Sequence, residues 1–256
     1  MKTILYLFCC LIAINILLFP QENSTINPEF YKTWLRYEFY SDIMRGKTPR
    51  ESMKMQPVMQ LFFSQNKNTV LIGSFNEELD RKFKVVTPDT IEIYKQSNNK
   101  TPEFTISLFE DNNETKLLVD DGKEKMIFKG LDKKYYDEGK GVNYFINDRL
   151  IAGEYVSTED STTKVIFTFD GKITGLKNFK KYLIPIFGIG LPLDFDTIIL
   201  AYRNNGKRKH EVFHWKKSGD KITLYNISKS SDDEMDGGRY LNSKILDKYL
   251  ELRKIE

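Results

Sequence analysis

Cysteine is almost missing from this chain of 256 residues. Its two cysteines, Cys9 and Cys10, are adjacent and lie within the apolar stretch at the N-terminus. A chain from which that stretch is removed has no thiol, which excludes disulfides, cysteine nucleophiles and cysteine-bound zinc. We therefore expect the hydrophobic core alone to stabilise the remaining chain.

Histidine is equally scarce, because His210 and His214 are the only two. Both belong to the stretch HEVFH (210–214), which has the H-E-x-x-H pattern of zinc proteases. That site requires a helix, on which residues four apart lie about 5–6 Å from each other. On a strand the same two residues are about 13 Å apart and cannot bind one ion.

The surroundings of HEVFH predict a strand. Turn-forming sequences at 203–208 and 216–221 leave only the short stretch 209–215 between them, and its aromatic residues favour strands. Phe213 and Trp215 are then predicted to share the buried face, with both histidines on the other. We expect no metal, no cofactor and no catalytic residue here, and a zinc hydrolase stays a remote alternative.

Long runs of one charge are also missing. The chain has 39 Lys and Arg against 36 Asp and Glu, and the two signs are interspersed. Nucleic-acid binding needs a concentrated basic face, so we expect no nucleic-acid partner. The sequence has neither a glycine-rich phosphate loop nor a G-x-S-x-G motif, and it therefore predicts a protein that is not an enzyme.

The chain does have an apolar N-terminus. Residues 1–20 read MKTILYLFCCLIAINILLFP, with one lysine before the apolar run. A charged residue followed by an apolar run is the arrangement found in export signals. The run is short for a membrane span, which needs about 20 residues. We expect a signal peptide, with an uncleaved anchor as the alternative, and an exported protein of the periplasm, outer envelope or extracellular space.

Beyond Pro20 the pattern is that of strands. Short runs of Val, Ile, Phe, Tyr and Thr alternate with turn residues at intervals of roughly 8–12 residues, as in all-β barrels and sandwiches. One early strand is predicted over 33–40. A capping box at Thr48-Pro49-Arg50-Glu51 predicts a short helix that ends before Pro57. The stretch 238–248 is either a helix or a loop followed by a strand.

The second half of the chain repeats features of the first. Three pairs of stretches match in the same order: 32–34 with 153–155, 87–97 with 218–228, and 123–131 with 247–255. This order indicates a duplication whose boundary falls within 131–149. The sequence predicts an all-β chain with two tandem antiparallel up-and-down barrel or sandwich units, at 27–135 and 150–256.

Each half resembles the lipocalin-like, calycin-type domains of exported bacterial proteins. The resemblance lies in an aromatic residue near the first strand (Trp34, Tyr155), a strand with the pattern D-x-I-x-(I/L)-Y, and the terminal strand YLELRKI at 249–255. The stretch 167–184 is also similar to the second unit of that group. The resemblance implies a barrel that holds an apolar ligand in its cup.

One apolar stretch is neither a clean strand nor a helix. YLIPIFGIGLPL (182–193) is interrupted by proline and glycine, and it either plugs a barrel end or contacts a ligand, a membrane surface or a protein partner. The candidate contact residues are Ile186, Phe187, Ile189 and Leu191. The expected function is non-enzymatic binding of an apolar small molecule or envelope component, and the alternative is a structural or protein-interaction module without a ligand.

Overall fold

The protein folds into two eight-stranded antiparallel sheets in tandem. The computed structural model describes residues 25–52, 58–64, 68–73, 78–95, 100–136, 140–176, 178–186, 195–228 and 243–255. The predicted all-β class with two antiparallel barrel-like units is confirmed. The N-terminal segment 1–20 lies outside the described residues.

The first sheet is a closed barrel, because β1 pairs with both β2 and β8. Its strands are β1 (Thr33–Arg36), β2 (Gln60–Ser64), β3 (Thr69–Gly73), β4 (Glu78–Thr87), β5 (Thr90–Ile93), β6 (Phe104–Asp111), β7 (Glu114–Asp120) and β8 (Lys125–Gly130). Trp34 is fully buried, and its indole Nε1 donates to the carbonyl oxygen of Phe30 at 3.0 Å. Alternating apolar side chains from all eight strands fill the interior around it.

The second sheet is barrel-like as well. Its strands are β9 (Gly153–Ser157), β10 (Lys164–Phe167), β11 (Ile173–Thr174), β12 (Lys181–Leu183), β13 (Thr197–Asn204), β14 (Lys207–Ser218), β15 (Lys221–Ile227) and β16 (Ile245–Lys254). They pair in the order β11-β10-β9-β16-β15-β14-β13-β12, so β11 and β12 are the two ends.

These two ends meet in a short seam. One bridge pairs Lys172 with Lys181, and the amide of Tyr182 donates to the carbonyl of Gly171 at 2.8 Å. The hydroxyl of Tyr182 donates to the carbonyl of Thr168 at 2.8 Å, and burial raises the pKa of this phenol. Among the described residues, the two ends of the second sheet are therefore joined through a single bridge, whereas the other neighbouring strands of this sheet pair over two or more residues.

Short helices occur in the connections between strands and between the two units. They are α1 (Tyr37–Met44), α2 (Pro49–Ser52) and α3 (Gly141–Leu150), with 3-10 turns at Pro28–Phe30 and Lys133–Tyr135. The predicted capping box is confirmed at α2, where the Thr48 amide donates to Glu51 at 2.8 Å and the Glu51 amide donates to Thr48 Oγ1 at 3.3 Å.

The strand predicted over 33–40 is correct only in its first half. The strand ends at Arg36, and the chain continues as α1. Phe39 and Ile43 lie four residues apart and are both buried, so the helix places them on one face toward the core. The alternation of apolar residues in YEFY fits a strand as well, which is why the sequence alone predicts a longer one.

Helix α3 occupies the segment that the sequence showed only as a boundary. Its apolar residues Val142, Phe145, Ile146 and Leu150 have helical spacing and are buried. They belong to one hydrophobic cluster that contains Leu35 of the first unit together with the interior of the second barrel. Helix α3 therefore packs between the two units.

The topology corrects one of the three sequence matches. The first and last pairs join equivalent strands, β1 with β9 and β8 with β16. The middle pair joins β5, the fifth strand of its unit, to β15, the seventh. Hairpins with similar turns have similar sequences at any position in a meander. The match between 87–97 and 218–228 therefore does not show that the two strands occupy equivalent positions in their units. Within 238–248, the described end enters β16, as the strand alternative expected.

Candidate functional site

The HEVFH stretch is part of β14, as predicted. Phe213 and Trp215 are buried on the inner face, and successive side chains of the strand point to opposite faces of the sheet. His210 and His214 lie on the outer face, where the strand rise separates them by about 13 Å. The described residues contain no group of three or more metal-ligating side chains.

His214 is a packed side chain. It is only 4% exposed, its Nδ1 lies 2.8 Å from the carbonyl oxygen of Asp196, and its ring lies between Phe195 and Tyr225. Burial lowers the pKa of His214 below its usual value, so the neutral imidazole is favoured. Its neighbour Asp196 also accepts from the backbone amide of Arg50 at 3.0 Å, which links β13 to α2.

The apolar stretch 182–193 is described only up to Ile186. That side chain is 5% exposed and belongs to the core cluster of the second unit. Phe187, Ile189 and Leu191 lie outside the described residues. Contact of these residues with a ligand or partner stays a prediction.

A groove that the sequence did not indicate lies beside the seam of the second barrel, and we call it the seam groove. It has a volume of about 510 Å³ and lies between α3 and the outer face of β12, β13 and β14. Its lining residues are Lys140, Asn143, Tyr144, Asn147, Asp170, Gly171, Lys181, Tyr182, Leu183, Ile199, Ala201, Arg208 and His210.

Strand register builds the floor of the seam groove. Lys181, Ala201 and His210 lie opposite one another across three strands, and antiparallel partners point to the same face. The next row on that face contains Leu183 and Ile199. The floor is thus apolar in its middle, with cationic or ionisable side chains at its edges.

Helix α3 forms the wall and holds the seam. The side-chain amide of Asn143 donates to the carbonyl of Ile184 at 3.0 Å, and that of Asn147 donates to the carbonyl of Phe169 at 3.0 Å. These carbonyls lie on the two sides of the seam, so the helix connects them. Asn147 is 1% exposed, and within the described residues its Oδ1 accepts no hydrogen bond.

The seam groove is electropositive. Lys181 and Arg208 form no ion pair with any residue that the structure describes. The acid among the described lining residues, Asp170, is paired with Lys172 at 2.6 Å, and this ion pair lowers the pKa of Asp170. Because the Asp170 carboxylate is paired with Lys172, it does not neutralise the charges of Lys181 and Arg208.

Sequence reasoning missed this site because its parts come from distant segments. Three segments become neighbours only through strand register and the position of α3: Lys140 to Asn147, Lys181 to Leu183 and Ile199 to Arg208. One local signal was present: in β14 the alternating residues Arg208 and His210 occupy the outer face. The sequence did not indicate which strand would pair beside them.

Comparisons of the chain with models of protein families, with curated proteins and with solved structures found no match. Among the described residues, no helix has both the length and the apolar character that crossing a bilayer requires.

Proposed function

We propose that the protein is a non-enzymatic binding protein, exported to the cell envelope, that holds a small amphiphilic anion in the seam groove. The observation that carries this proposal is an apolar floor, Ile199 and Ala201, edged by Lys181 and Arg208, which lack a described carboxylate partner. The proposal of export rests on the N-terminal segment 1–20.

The dimensions of the groove suit a small organic molecule. Ligand pockets typically measure about 300–1,000 Å³, combining apolar walls with a few polar groups that fix orientation. The seam groove, at about 510 Å³, lies within this range. Lys181 and Arg208 supply charge-assisted donors for an anionic group, and Leu183 and Tyr144 offer apolar surface for the body of the ligand.

The seam groove fits a ligand of different chemistry from the apolar ligand expected inside a lipocalin-like barrel. In the first barrel the interior positions of the strands are occupied by packed side chains such as Trp34, Phe63 and Phe128. In the second barrel Tyr155, Phe167 and Trp215 take the same role. A ligand at the seam groove has to match cations as well as apolar surface, which favours an amphiphilic anion over a wholly apolar molecule.

Calorimetric titration of the full chain with monomeric decyl phosphate tests the proposal, with decanol as the uncharged probe. We expect decyl phosphate to bind more tightly than decanol, and Arg208→Gln to weaken it about tenfold, since a charge-assisted hydrogen bond contributes about 1.5–3 kcal/mol. Arg45→Gln is the matched control, because the Arg45 side chain is 74% exposed and lies on the first unit.

Equal affinity for the two probes, or an Arg208→Gln variant that binds like the wild type, would contradict the proposal. If neither probe binds the wild type, the alternative of an interaction module without a ligand is favoured.

A further inference from the structure

A second cationic cavity adjoins the seam groove. It has a volume of about 410 Å³ and is lined by Asn178, Lys180, Lys181, Ala201, Tyr202, Arg203 and Arg208. Lys181, Ala201 and Arg208 line both cavities, so the two cavities share these side chains. We call the second cavity the arginine subsite.

The arginine subsite contains an unfavourable pair of like charges. Arg203 and Arg208 are direct partners in the β13–β14 ladder, so both side chains leave the sheet on the same face. Like charges placed directly opposite each other destabilise a sheet. An anion between the two guanidinium groups would replace this repulsion with two attractions.

The nearby acid on β14 does not relieve that repulsion. Glu211 pairs with Leu200, whose side chain is buried in the barrel, and Glu211 therefore faces inward. Its carboxylate accepts a hydrogen bond from the Tyr202 hydroxyl, and desolvation together with this bond raises the pKa of the phenol. Within the part of the chain that the structure describes, Arg203 and Arg208 form no ion pair.

The spacing of the two sites limits the ligand. The row of Arg203 and Arg208 lies two residues along the strands from the row of Ala201 and His210, a separation of roughly 7 Å at the backbone. The side chains of Lys181 and Arg208 lie between the sites and can reach groups in either. One ligand can therefore place neighbouring anionic groups in both cavities.

We infer that the ligand of the seam groove carries two adjacent anionic groups, as a diphosphate ester with an apolar tail does, and that the Arg203–Arg208 pair binds the second group. This inference rests on the proposed function, because it assigns the apolar tail and the first anionic group to the seam groove.

Decyl diphosphate and decyl phosphate, titrated into the full chain, test the inference. Wild-type protein is expected to bind decyl diphosphate about tenfold more tightly, as one further charge-assisted contact allows. Arg203→Gln should remove that preference while leaving the affinity for decyl phosphate within about twofold, because Arg203 lines only the arginine subsite. Arg45→Gln should change neither affinity.

A second readout needs no ligand. Arg203→Gln removes the repulsion across the β13–β14 pair, so the unliganded variant should melt at a slightly higher temperature than the wild type. A lower melting temperature would mean that Arg203 has a structural partner, and it would overturn the inference.

The outcomes separate the two proposals. If both probes bind the wild type with equal affinity and Arg203→Gln changes neither, the ligand has one anionic group and only this inference fails. If neither probe binds, the proposed function fails as well. Vesicles of phosphatidylcholine that carry hexadecyl diphosphate distinguish the source of the group: a protein that sediments with them recognises a lipid headgroup, and one that binds only the monomer recognises a soluble ester.

Discussion

The seam of the second barrel gives a sharp stability prediction at Gly171. This glycine is buried with φ +81°, and a Cβ added there would lie 2.7 Å from the carbonyl oxygen of Tyr182. That oxygen belongs to backbone that the seam itself fixes, since the Tyr182 amide donates to the Gly171 carbonyl at 2.8 Å. Gly171→Ala must therefore strain the backbone and force the seam apart.

The magnitude follows from two contributions. An alanine in the left-handed region costs about 1–2 kcal/mol. Breaking or stretching the seam hydrogen bond adds about 0.5–1.5 kcal/mol, and more if its buried groups stay unpaired. Gly206 supplies the matched control, because it has φ +75° in the exposed β13–β14 turn and a Cβ there would meet no atom within 4 Å. Gly206→Ala should show the first contribution alone.

Urea unfolding followed by tryptophan fluorescence measures both variants. We expect Gly171→Ala to lower the free energy of unfolding by at least about 1 kcal/mol more than Gly206→Ala, since both substitutions change the unfolded chain equally. If the two variants lose the same free energy, the close approach of Gly171 to Tyr182 does not exist in solution, and the seam has been placed wrongly.

Two further predictions concern the buried His214 in β14 and the N-terminal cap of α2. Burial lowers the pKa of His214 in the folded protein below its ordinary value of 6.5. As the pH falls below 6.5, the unfolded chain therefore binds more protons at this residue than the folded protein does. The contribution of His214 to stability is complete above pH 6.5 and declines as the pH falls below it. Urea midpoints measured across this range should have a smaller slope for His214→Gln than for the wild type, and equal slopes would refute the assignment. Thr48→Ala removes the acceptor of the Glu51 amide and should lower the free energy of unfolding by about 1 kcal/mol in the same assay; no loss would mean that the cap of α2 contributes nothing.

Local patterns in the sequence identified the elements whose neighbours in the chain determine them. The strand at HEVFH followed from the turns on both sides and from the alternation that buries Phe213 and Trp215. The cap of α2 followed from four consecutive residues. These features need no knowledge of distant pairing.

The helices and the groove depend on tertiary structure. Helix α3 lies in a charged segment, and its apolar residues are buried because they pack against both units. Arg203 and Arg208 are separated by a turn, so their opposition could be guessed from a hairpin, but their proximity to Lys181 requires β12 to pair with β13. The balanced charge of the whole chain concealed this local concentration of cations.

The hydrophobic cluster that includes Leu35, Phe145 and Trp215 has a consequence for how the chain unfolds. Because this cluster takes in side chains from both units and from α3, neither unit can open without exposing apolar surface of the other. Unfolding should then be one cooperative transition, with a denaturant dependence set by the surface of the whole chain. Cutting the chain between the barrels would divide a shared core and would not release two independent domains.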